Sequence, residues 1–181
     1  MTTFDFKDGN GPVPAHQHSN GGGWVADTAT VADIAFVGPN ARVYGNAIVI
    51  GRVHLRDEAE VNGHANIRDH AELGGHAKVG DYANVSGYAH VFGNAEVHGD
   101  ADIGGYAWIC GHAKVYGHAK VSSIAKVWGN ATVFDDAKVR GNAEVCGNAE
   151  VFGHMDVSDD MVLSGAEIAI GDIEPTADIW P

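Results

Sequence analysis

The chain has 181 residues and carries 24 Asp and Glu against 11 Lys and Arg, a formal net charge of −13, which argues against a basic surface of the kind that holds nucleic acid. No apolar run approaches the length of a membrane span, and the opening residues, with Asp5, Lys7 and Asp8, lack the basic-then-apolar order of a signal peptide. The expectation is one cytoplasmic domain with no membrane contact and no direct nucleic-acid binding.

Residues 1–24 read as an N-terminal cap. Thr3-Phe4-Asp5-Phe6 alternates as a strand, Gly9 to Pro14 is a loop, and Trp24 follows three glycines. His16 and His18 lie in a Gly- and Asn-rich stretch and are expected to be exposed rather than to share a metal.

From Val25 to Leu163 a Val, Leu or Ile returns at every sixth position without a skip, and a small residue stands two places before almost every one. In Ala41-Arg42-Val43-Tyr44 apolar and variable residues alternate, which predicts a short strand with one face in and one out. Gly45-Asn46 then turns a corner, and the Asn, Asp or His of such corners is expected there because these residues best tolerate positive φ. A six-residue period never keeps a helical face, so helix is excluded. With three sides per turn the repeat closes an eighteen-residue triangular coil. Residues 25–168 are then an all-β, single-stranded parallel β-helix of about eight coils, roughly 38 Å long at ordinary strand spacing. After Leu163 the hexad fails: Ile168, Ile170 and Ile173 are not expected to continue the register. Residues 169–181, ending in Ile179-Trp180-Pro181, are expected to form a tail that caps the last coil or reaches another subunit.

Units such as Gly45-Asn46-Ala47, Gly93-Asn94-Ala95 and Gly129-Asn130-Ala131, with the opening Gly21-Gly22-Gly23-Trp24-Val25, give the chain its likeness. It resembles the bacterial hexapeptide-repeat superfamily, and most of all the proteins of bacterial and phage genomes built from Gly-Asn-Ala-x-Val-x repeats. The resemblance implies a left-handed β-helix, although the general rule for parallel crossovers favours the right hand. It also implies a homotrimer with parallel coils, and acyl transfer as the commonest activity of the superfamily.

Residues eighteen apart stack, which writes out three outward faces. The first carries Thr30, Ile48, Asn66, Asn84, Asp102, Lys120, Lys138 and Asp156 and is polar. The second carries Phe36, His54, Glu72, His90, Trp108, Lys126 and Glu144, flanked by Arg56, Phe92, Cys110, Trp128 and Cys146. The third is a charge ladder of Arg42, Glu60, Lys78, Glu96, Lys114, Thr132 and Glu150 beside Tyr44, Asn62, His98, Tyr116, Phe134 and Phe152. The centre of the second face is too apolar for solvent. Phe36, Tyr88, Phe92, Tyr106, Trp108, Ile124 and Trp128 are therefore the expected trimer interface. The expected ligand or partner groove holds His54, Glu72, His90, Phe92, His98, Trp108 and Trp128. Cys110 and Cys146 fall two coils apart, too far for a bridge, and read as thiols of a reducing compartment.

His64, His70, His76, His112, His118 and His154 occupy the corner slot that Asn fills elsewhere and are expected to point outward without a ligand role. His54, Glu72 and His90 stack on a strand face and offer donors, as does His98 if a neighbouring subunit brings His90 or His112 to it. The γ-class carbonic anhydrases are similar in sharing His ligands across a trimer, but their Arg, Asp and Gln pattern and His spacing have no counterpart here, and no metal and no cofactor are expected. An acyltransferase would use His90 or His112 as general base, yet the hexads run without the loop that shapes such sites. The end after Arg140 has no Lys or Arg and many acids, a solubilising feature and, in the alternative, a DNA mimic similar to the pentapeptide-repeat proteins that bind gyrase. The preferred reading is a non-enzymatic structural or binding protein, phage-encoded by its resemblance, that engages a host protein or sequesters a small ligand in intersubunit grooves.

Overall fold

Alternation within each hexad is realised residue by residue. In the computed structural model, which describes residues 2–166 and 168–170, every aliphatic hexad residue from Val37 to Val157 is at most 1% exposed. The alanines two places earlier line the same interior and are equally dry. Small and branched residues thus alternate along each inner edge, filling a narrow core with short rigid side chains.

The strands, numbered in chain order from β1 (Thr3–Asp5) to β27 (Ile168–Ile170), are mostly two residues long. They form a parallel β-solenoid of about eight turns with three sheets. Strands three apart in the chain pair in parallel at a constant offset of eighteen, as in Glu72↔His90, Asn66↔Asn84 and Lys78↔Glu96. The three faces read from the repeat are therefore the three sheets. On the third, Arg42 meets Glu60 at 3.3 Å and Lys114 meets Glu96 at 3.4 Å. On the same sheet the rings of His98, Tyr116, Phe134 and Phe152 stack at 5.0, 5.1 and 4.9 Å.

The corners correct one expectation. Positive φ falls on the first corner residue, Gly in most coils and otherwise Asp57, Asp69, Asp81, Ser123, Asp135 or Asp159; the following Asn or His slot never has it. The corner histidines are held by the neighbouring coil instead. His64 stacks on Tyr82 and His70 on Tyr88, while His76, His118 and His154 lie 3.4, 3.7 and 3.9 Å from Glu58, Asp100 and Asp136. Space decides the first slot: a Cβ on Gly105 would sit 2.7 Å from the Ser123 carbonyl oxygen. Where Asp replaces Gly, its carboxylate accepts from the glycine N–H one coil on, at 2.9 Å for Asp57 and Gly75, 3.0 Å for Asp69 and Gly87, and 3.1 Å for Asp81 and Gly99.

At the N-terminal end β1 pairs antiparallel with β2 (Pro12–Gln17), which pairs antiparallel with β3 (Trp24–Ala26), so the cap extends the sheet of the third face. Phe4 stacks on Trp24 at 4.4 Å and Phe6 on Tyr44 at 4.9 Å. Residues Asn20 and Gly23 then bond the edge of the second face through Val37, at 3.0 and 2.9 Å. Unpaired strand edges at this end are covered in this way. His16 is exposed and contacts Asp27 at 2.9 Å, but it lies on β2, which also takes up residues 12–14 of the expected Gly9–Pro14 loop. His18, expected to be exposed, is buried inside this cap with Nδ1 against the backbone of Asn20, because the Asn20–Gly23 turn folds over it.

At the other end β27 corrects a second expectation. Glu150 pairs with Ile168 and Val151 with Ala169, so the backbone keeps its eighteen-residue spacing while Ala169 stands in the aliphatic position. The rest of the expected tail, Ile173 and Ile179-Trp180-Pro181 included, lies outside the described residues. Among the described residues no helix is long and apolar enough to cross a membrane.

Candidate functional site

The second face brings most of the singled-out residues onto one surface, because each is an outward position of a short strand eighteen residues from the next. Phe36, His54, Glu72, His90, Trp108 and Lys126 stand in register from coil to coil. Phe36 meets His54 edge-on at 6.0 Å. Glu72 lies between two imidazoles, 3.6 Å from His54 Nδ1 and 3.9 Å from His90 Nδ1. Arg56 Nη2 also reaches His54 Nδ1, at 3.4 Å. That nitrogen can accept from Arg56 only when unprotonated and donate toward Glu72 only when protonated, so the two contacts exclude one another.

Further along the face the chemistry becomes apolar. His90 lies 4.8 Å from the Trp108 ring and 5.8 Å from Phe92. At the corner that opens this face, His70, Tyr88 and Tyr106 stack at 4.7 and 5.0 Å, and Ile124 occupies the next coil of the same column. Tyr88, Tyr106, Trp108, Ile124 and Trp128 are 42–56% exposed and fall on three successive coils. Phe92 departs from the expected exposed set: its ring lies back over Gly74, where an added Cβ would come within 2.7 Å of it. The signal was present in the column, since a glycine eighteen residues before an aromatic leaves a seat for the ring. Phe36 is half-buried too. Lys126 bonds Glu144 at 2.7 Å and closes the patch with an ion pair.

The proposed general bases are not brought together. His90 is on the strand face, whereas His112 is an exposed residue of the next corner, and no contact links them among the described residues. His98 belongs to the third face, 3.8 Å from Asp81. Cys110, on the second face beside Trp108, has its thiol pushed up by burial, which keeps it protonated and unreactive. Cys146 is buried. Among the described residues no group of three or more His, Cys, Asp or Glu has the arrangement to hold a metal ion.

No protein-family model matches the chain, and no curated protein matches it in sequence.

Proposed function

We propose that this protein is a non-enzymatic β-solenoid that works as a homotrimer, with the second face turned inward and the grooves between protomers serving as the binding surface. The observation that carries this reading is the group of large exposed apolar side chains Tyr88, Tyr106, Trp108, Ile124 and Trp128 on three successive coils, since clusters of this kind mark contact surfaces. Its occupant is a second copy of the same chain. A flat, straight face repeated at a constant step fits a like face around a threefold axis without any loop to interfere. The left hand of the coil and descent from the hexapeptide-repeat superfamily are part of the same proposal, supported by the Gly-Asn-Ala units. So is the phage origin. In this arrangement His90 and Trp108 border the groove, and its occupant is a host protein or a small ligand.

The test is sedimentation velocity on the wild type and on Trp108→Glu/Ile124→Lys. The wild type is expected as a trimer and the double variant as a monomer with unchanged circular dichroism, because both side chains are exposed and outside the core. A monomeric wild type, or a trimer indifferent to the substitutions, would remove the reading.

A further inference from the structure

A cavity of about 420 Å³ lies where the cap meets the first coils, away from the second face. Its apolar floor is made by Phe6, Val13, Ala26 and Tyr44, and Asp8 and Asp27 stand at its rim. The floor is rigid. Phe6 and Ala26 are 2% and 1% exposed, and the Phe6 and Tyr44 rings are stacked. Thr28 Oγ1 donates to the Gly45 carbonyl and ties together the two corners on which the cavity rests.

The electrostatics of this cavity are one-sided. No Lys or Arg lines it, and Lys7, the cation nearest in sequence, is held by Asp5 at 2.8 Å. Asp8 is bonded by the neutral Asn10 N–H at 3.0 Å and Asn10 Nδ2 at 2.9 Å, and no counter-ion meets it among the described residues. Asp27 contacts His16 Nδ1 at 2.9 Å. The Tyr44 phenol on the floor is pushed up first by burial and then by the charges of Glu60 and Asp8, with Asn62 and Arg42 opposing. An apolar, aromatic bowl under carboxylates rejects anions and offers little to a strongly hydrated metal ion. It suits a weakly hydrated organic cation, which gains from contact of its methyl groups with the apolar floor and from the rim charge together.

We propose that this cavity is a binding site for a small free alkylammonium ion, a quaternary or methylated amine of about the size of choline. The polar head would sit between Asp8 and Asp27 with its methyl groups on Tyr44 and Val13. The site is independent of the trimer interface, so either proposal can fail without the other.

The experiment is a ¹H–¹⁵N correlation titration of the full chain with tetramethylammonium chloride, against sodium chloride at equal concentration and against tert-butanol as the neutral isostere. Expected are saturable shifts of the Ala26, Thr28, Tyr44 and Gly45 amides, with a dissociation constant on the order of 1 mM. In Asp8→Asn, whose amide oxygen can still accept from Asn10, and in Asp27→Asn the affinity should drop about tenfold. The remaining spectrum reports that each variant is folded. Three results would each overturn the proposal: no saturation with tetramethylammonium, saturation by sodium chloride or tert-butanol at matching concentrations, or wild-type affinity in both variants.

Discussion

Asp81 shows how a single residue is shaped by the coil above it. Its φ of +55° is a conformation that L-residues with a Cβ adopt at a cost, and its carboxylate recovers part of that cost from the Gly99 N–H. Replacing it by Ala keeps the strained backbone and loses the bond, whereas replacing it by Gly loses the bond and relieves the backbone. Asp81→Ala is therefore expected to destabilise by about 1–2 kcal/mol in denaturant unfolding, with Asp81→Gly close to neutral. The repeat makes the corner itself legible but not the division of labour inside it, because the choice between its two slots depends on a Cβ approaching a backbone eighteen residues away. The corner histidines point outward as expected, but not for the backbone reason. Their partners, Tyr82 for His64 and Asp100 for His118, are set by the column and not by the local dipeptide. Tyr44 gives a second prediction. Its phenol is raised by burial and then by the Glu60 and Asp8 charges, so the protonated form contributes stability that is present below about pH 10 and is lost as pH rises through the higher folded-state value. Phenolate absorbance should show a late-titrating tyrosine that disappears in Tyr44→Phe, and the loosening of the cap at alkaline pH should disappear with it.

At the scale of the strand and the sheet, the hexad specifies the inner edge almost completely. Val, Leu or Ile in, variable residue out, and an offset of eighteen predict which residues touch, and the pairing of Glu72 with His90 or Lys114 with Glu96 follows directly. The ends were less legible. Antiparallel pairing of β2 with β3 leaves no periodic trace, and the burial of His18 depends on that pairing. At β27 the backbone continues where the aliphatic signal stops, since a parallel ladder needs only an extended segment at the right distance. Packing differs between centre and end as well. Leu73 is fully buried between neighbouring coils, whereas Leu163 is only partly covered. Leu73→Ala is expected to cost about 2–5 kcal/mol and Leu163→Ala distinctly less, as read by the shift in denaturation midpoint.

Across the whole molecule, charge and apolar surface are segregated. Lys and Arg end at Arg140, which holds Asp156 through two nitrogens at 2.9 and 3.0 Å. Among the described residues four of the large exposed rings, Tyr88, Tyr106, Trp108 and Trp128, gather at mid-length on one side, while Tyr82 stands at another corner. The location of that patch was legible by writing the columns out, and so was the departure of Phe92, whose ring sinks over Gly74 because the residue eighteen places earlier has no side chain. The constant offset has one more outcome. Removing residues 87–104 sets Gly105 where Gly87 stood, under the Asp69 carboxylate, and Trp108 where His90 stood, opposite Glu72. The shortened chain should fold with unchanged circular dichroism and a proportionally smaller sedimentation coefficient. Removing only residues 99–104 should also leave a closed core, yet it turns everything downstream by a third of a revolution and parts Tyr88 from Tyr106 and Trp108. Eighteen residues thus act as a unit of length and six as a unit of rotation, so that this chain works like a dial on which surface features can be moved along or around the axis without reopening the interior.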